Sequence, residues 1–172
     1  MSPESSHILF RHLLVFLAAI FMAGPAAAQS ASGSTQNEAN IRFASLRADE
    51  VNVRAGPGVR YHVKWVFVRK HLPVMITAEF ESWRKIRDSE GAEGWVHRAM
   101  LSGRRSVVIA GEVTTLRRTP SETAPAVARL APGIVAELDS CDAQWCRATA
   151  HSYSGWLPRK ALWGLKDGET VE

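Results

Sequence analysis

EGWVHRAML, residues 93–101, returns as SGWLPRKAL at residues 154–162, displaced by 61 positions. Upstream of this pair the likeness continues: SWRKI (82–86) returns as QWCRA (144–148), displaced by 62. VNVRAGP (51–57) returns more faintly as TTLRRTP (114–120), displaced by 63. Three blocks in one order at nearly one offset mark a duplicated unit of about 60 residues.

Each unit reads as all-β. In the first copy VKWVFV (63–68) and VMITAEF (74–80) are short runs of β-branched, apolar and aromatic residues, WRKIR (83–87) alternates, and GWV (94–96) starts another strand. Polar turns such as Asp88-Ser89-Glu90-Gly91 separate them, which predicts a small barrel or sandwich. No window sustains a helical period, although residues 98–101 suit one tight helical turn. Gly56, Pro57 and Gly58 follow the strand at 51–54, where glycine would supply a positive φ for a sharp turn. A phosphate-binding loop would instead lead into a helix N-terminus. Here the chain runs on to Tyr61 and another strand, and the second copy has Arg118-Thr119-Pro120 in place of Ala55-Gly56-Pro57.

These residues resemble a known family. Val51-Asn52-Val53-Arg54-Ala55-Gly56-Pro57 is similar to the opening of bacterial Src-homology-3-like domains, and Gly94-Trp95-Val96 followed by Leu101 to their closing strand. The resemblance covers 45–102 well. It continues over about 107–165 at Leu116-Arg117, Trp145 and Gly155-Trp156-Leu157. It implies two tandem small SH3-like barrels, each five- to six-stranded and partly open, of a kind found in cell-envelope proteins, often beside wall hydrolases. Some such modules bind peptidoglycan; others act as spacers or protein-binding units.

The chain has 172 residues. Residues 1–28 read as a secretory signal: Arg11 and His12 close a weakly charged start, 13–22 is apolar, Pro25 breaks any helix, and Ala26-Ala27-Ala28 suits a signal peptidase. A membrane anchor would need about 20 apolar residues, so no stable insertion is expected after cleavage. Residues 29–40 contain almost nothing apolar and read as a flexible leader. The domains expected beyond it are 41–105 and 106–172. The first holds 13 basic and 7 acidic side chains, a net of +6; the second holds 7 and 8, a net of −1. An electrostatic partner should favour the first unit.

Cys141 and Cys146 are the only cysteines. With 142–145 as a hairpin loop they face each other across two strands, at a separation that suits a disulfide. Glu79 and Arg84 occupy the equivalent positions of the first copy as a complementary pair. His151 lies too near Cys146 for the usual thiol nucleophile and distant base. The histidines lack the spacing of a ligand pair, so neither a metal nor another cofactor is expected. No catalytic constellation emerges.

Of six tryptophans, Trp83, Trp95, Trp145 and Trp156 recur at repeat positions and read as structural, with Trp95 and Trp156 in the cores of their barrels. Gly94 and Gly155 recur beside them. Trp65 and Trp163 have no repeat partner; either could stack a sugar or peptide with Tyr61, or simply pack inside. The basic pairs Arg69-Lys70, Arg84-Lys85 and Arg104-Arg105 could suggest nucleic acid, but export makes envelope polyanions the available partners. The expectation is a non-enzymatic envelope protein, periplasmic or secreted, that binds peptidoglycan or a periplasmic protein through Tyr61, Trp65, Arg69 and Lys70. The rivals are an adaptor without a wall ligand and an unrecognised hydrolase.

Overall fold

A computed structural model describes residues 41–172. The signal and leader read at 1–40 lie outside the described residues. The described residues form two seven-stranded antiparallel sheets of identical topology. The first uses β1 (Arg42–Leu46), β2 (Val51–Arg54), β3 (Val63–Phe67), β4 (Pro73–Phe80), β5 (Trp83–Arg87), β6 (Glu93–His97) and β7 (Leu101–Ser102), in the order β3-β2-β6-β5-β4-β1-β7. The second repeats that order seven elements later. Its strands are β8 (Ser106–Ile109), β9 (Thr114–Arg117), β10 (Ala126–Leu130), β11 (Val135–Cys141), β12 (Trp145–Ala150), β13 (Tyr153–Pro158) and β14 (Leu162–Trp163). The duplication read from three sequence blocks is therefore a duplication of whole barrels. A 3₁₀ turn at Arg98–Met100, matched by Arg159–Ala161, fills the place expected for one tight helical turn. Strand β1 escaped the sequence reading. Among the described residues no helix is long and apolar enough to cross a membrane.

Side chains alternate across each strand, and this alternation builds the cores. In β2, Val51 and Val53 are buried while Asn52 is exposed. Together with Leu46, Val74, Ile86 and Val96 they fill the first barrel. Val107, Leu116, Ala148 and Leu157 fill the second. Each large aliphatic side chain so buried stabilises the fold by about 1.5–3 kcal/mol relative to exposure.

The same alternation corrects the expectation for the tryptophans. Trp95 and Trp156 are half-buried, because their strand neighbours Val96 and Leu157, both 0% exposed, take the inward positions. On its other side each tryptophan is preceded by a glycine that also points inward, against a neighbouring strand. A Cβ on Gly94 would sit 2.3 Å from Val53 Cγ1, and one on Gly155 2.6 Å from the Arg117 carbonyl oxygen. The Gly-Trp pairs thus close the barrel with the glycine and face outward with the ring.

Gly56 also departs from its expected role. It does not adopt a left-handed conformation; a Cβ there would lie 2.6 Å from the Tyr61 ring. Close approach, not turn geometry, requires glycine at this position.

Cys141 and Cys146 pair in the β11–β12 register with Cα atoms 4.0 Å apart and are joined as a disulfide. Glu79 and Arg84 hold the equivalent β4–β5 positions and form a 3.0 Å ion pair. Segment 164–172 then returns to β11, where Cys141 and Val171 exchange backbone hydrogen bonds of 2.8 and 3.0 Å.

The barrels meet through a buried polar contact. Ser45 and Ser106, 1% and 2% exposed, bring their hydroxyls together. Each hydroxyl also lies 2.7 Å from a carbonyl oxygen, Arg104 O for Ser45 and His71 O for Ser106. Phe43 meets Trp163 edge to face at 5.1 Å. Arg104 reaches Glu137 at 2.8 Å, and Arg105 binds Glu169 through both carboxylate oxygens.

Candidate functional site

Each barrel opens a groove between the loop after its second strand and the hairpin that joins its fourth and fifth strands. In the first barrel the lining is Pro57–Arg60, Phe80, Glu81, Trp83 and His97, around about 540 Å³. In the second it includes Glu122, Gln144, Trp145, Pro158 and Lys160, around about 600 Å³. These positions correspond through the repeat. Trp83 pairs with His97 across β5–β6, as Trp145 pairs with Pro158 across β12–β13.

The loop wall is held the same way in both copies. Arg54 Nη1 donates to the carbonyl oxygens of Val59 at 3.0 Å and Tyr61 at 2.7 Å. Arg117 Nη1 donates to the Ala124 carbonyl at 2.7 Å. The arginine of VNVR is thus a loop clamp. The opposite wall is also fixed alike: the 3₁₀ turn donates from Arg98 N to Ser82 O at 2.7 Å and from Arg159 N to Gln144 O at 2.8 Å.

The two grooves differ in chemistry. The first is aromatic and mixed in charge: Phe80 is 51% exposed, Trp83 meets His97 edge to face at 5.5 Å, and both Arg60 and Glu81 line it. Glu81 holds φ at 47°, a left-handed conformation uncommon for a side-chain-bearing residue. The second groove is extended by Leu165, Lys166 and Asp167 from segment 164–172. Arg159 anchors that segment, donating to the carbonyl oxygens of Glu169 at 2.6 Å and Lys166 at 2.5 Å. At its rim the backbone N–H groups of Trp145 and Gln144 hold the Asp142 carboxyl below its usual range.

The residues expected to bind are distributed over different surfaces. The Tyr61 ring lies against Gly56 and Gly58, behind the loop that walls the first groove. Trp65 packs partly buried on the first core, edge to face with Phe67 at 5.9 Å, with Lys64 over its ring at 5.0 Å. Arg69 and Lys70 line a separate cleft that faces the second barrel. Trp163 packs against Phe43 at the junction of the barrels. Phe80, Glu81 and His97 were missed, although the shared offset of Trp83 and Trp145 pointed to their neighbourhood.

Both cysteine sulfurs are bonded to each other, so neither offers a thiolate nucleophile. Among the described residues no three His, Cys, Asp or Glu side chains gather as a metal-holding group.

Several known proteins are partly similar to this chain. YrvJ of Bacillus subtilis (strain 168), named as an N-acetylmuramoyl-L-alanine amidase, is 26% identical over 125 residues. That alignment covers 66% of this chain but 24% of the relative, so the chain spans about a quarter of that protein's length. Two solved structures are also similar, each at 12% identity. NlpC2 from Trichomonas vaginalis has a TM-score of 0.33, with 72% of this chain and 48% of the other covered. An NlpC/P60 family protein from Bacillus cereus ATCC 10987 has a TM-score of 0.32, with 73% and 57% covered. The sequence profile of the bacterial SH3 domain matches residues 47–103 and again residues 110–164, well over half of the chain. With one matched segment on each barrel, the chain belongs to the bacterial SH3 domain family and carries two tandem copies.

Proposed function

We propose that this protein is a non-enzymatic binding module of the bacterial cell envelope, periplasmic or secreted, that recognises peptidoglycan through its two grooves. One observation carries the reading: the same tryptophan-walled groove is built twice, at repeat-equivalent positions, by the same arginine clamp and the same turn. A surface needed only for folding has no reason to keep an exposed Phe80 and a left-handed Glu81 at its mouth. Aromatic faces beside charged groups suit a ligand that is part sugar and part peptide. The disulfide fits an oxidising compartment, and the likeness to a named amidase fits the wall as location. Tyr61 and Trp65 serve this reading from behind, as supports of the first groove's loop and sheet.

The test is co-sedimentation of the purified chain with sacculi at low and physiological salt. Trp83→Ala with Trp145→Ala should abolish sedimentation while the far-ultraviolet spectrum is kept. Undiminished sedimentation of that double variant refutes the groove assignment. A folded wild type that ignores sacculi but retains a specific protein partner makes the adaptor reading the correct one.

A further inference from the structure

The cleft where the two barrels meet encloses about 400 Å³ and is lined by Arg69, Lys70 and His71 from one side and by Glu137, Thr149 and His151 from the other. Its acid is already spent: Glu137 receives both contacts of Arg104, at 2.8 and 2.9 Å. Arg69 is held in place by donating to the Gly133 carbonyl at 2.7 Å. Lys70 has no ion-pair partner among the described residues. The cleft is therefore left with an excess of N–H donors and positive charge.

The two histidines give a second, independent sign. His71 and His151 both adopt left-handed backbone conformations, φ 63° and 55°. For His71 the other barrel solves the same local problem with glycine. Gly133, φ 83°, donates to Ile109 O at 2.9 Å just as His71 donates to Leu46 O at 2.9 Å. His151 opens the two-residue turn between β12 and β13, where the longer β5–β6 connection, residues 88–92, places its left-handed residue, Gly91, near its end. Glycine takes such conformations without steric cost and histidine does not. A side chain kept at that cost in both positions, facing one cleft, marks a site where the side chain is used.

We propose that this cleft binds an oxyanion, a phosphate or carboxylate group carried on a larger molecule. His71 and His151 donate N–H to its oxygens, and Lys70 and Arg69 supply the charge. The site is distinct from the two grooves and stands or falls separately from them.

The experiment uses the folded chain with inorganic phosphate and, in a second arm, acetate, at ionic strength held constant with chloride. Histidine ring signals are followed by NMR. The ring signals of His71 and His151 should shift and saturate, while those of His62 and His97 stay still. His71→Gly should fold with an unchanged or higher Tm and yet weaken phosphate binding about tenfold, the loss of one charge-assisted hydrogen bond. Lys70→Gln should weaken it without touching the backbone. Saturation by phosphate alone identifies a phosphoryl source; saturation by acetate as well identifies a carboxylate. Ring signals that ignore both anions, or binding unchanged in both His71→Gly and Lys70→Gln, overturn the assignment.

Discussion

Leu157→Ala and Trp156→Ala are neighbouring substitutions in one strand, and the structure assigns them opposite consequences. Leu157 is 0% exposed and packs with Leu116, Cys146 and Ala148 in the second core. Truncation removes its transfer energy and leaves a cavity, a loss of about 2–5 kcal/mol. Trp156 is half-buried on the other face, opposite Arg117 on one side and Arg147 on the other. Its removal costs two cross-strand contacts and part of a buried surface, with solvent free to fill the space, about 1–2 kcal/mol. Each kcal/mol moves the Tm of a domain of this size by roughly 4–8 °C. Leu157→Ala should therefore lower the Tm by at least about 8 °C and broaden or split the calorimetric transition, with the second barrel melting first. Trp156→Ala should give a smaller shift and a single transition. Equal losses, or a larger loss for the tryptophan, would show that the ring and not the aliphatic row forms the core.

Other outcomes follow from the same structure. Cys141→Ser should lower stability by about 2 kcal/mol on loop-entropy grounds, and native protein should release no thiol to a thiol reagent until it is reduced. Gly155→Ala should cost more than Gly94→Ala in denaturant titration, because its Cβ meets the Arg117 carbonyl, whereas that of Gly94 first meets a Val53 methyl; the reverse order contradicts the geometry. Glu169 carries a lowered pKa, chiefly because Arg105 binds its carboxylate. A depressed folded-state value means that its stabilisation is fully present above the ordinary 4.5 and lost as pH falls through the lower folded value. Arg105→Gln should flatten that part of the acid limb of Tm against pH, and an unaltered limb counts against the assignment.

Much of this fold is legible in the sequence. The offset of about 61–63 residues predicts matching strands, the tight turn after Gly-Trp, and the cross-strand cysteine pair with its Glu79–Arg84 counterpart. What escapes has physical causes. Strand β1, RFASL, is short and carries neither a glycine nor a proline at its edges, so nothing in the local pattern marks it. Recurring tryptophans suggest a core because they are large, yet the alternation in Gly94-Trp95-Val96 already places the valine inside. The grooves depend on a loop, a hairpin and a turn that meet only in space, as do the cleft histidines. Their one sequence trace is the shared repeat position of Trp83 and Trp145.

The junction built on Ser45 and Ser106 has a metrical consequence. Two barrels on a loose tether would sample many separations; two barrels locked through buried hydroxyls, Phe43 against Trp163 and Arg104 on Glu137 hold their grooves at one interval. On the proposed reading, a polymer that repeats at that interval would fill both, the second contact forming intramolecularly without new chemistry. A polymer of another period engages one groove at a time. If the grooves bind as proposed, the tandem would act as a ruler, selecting its partner by spacing as well as by surface.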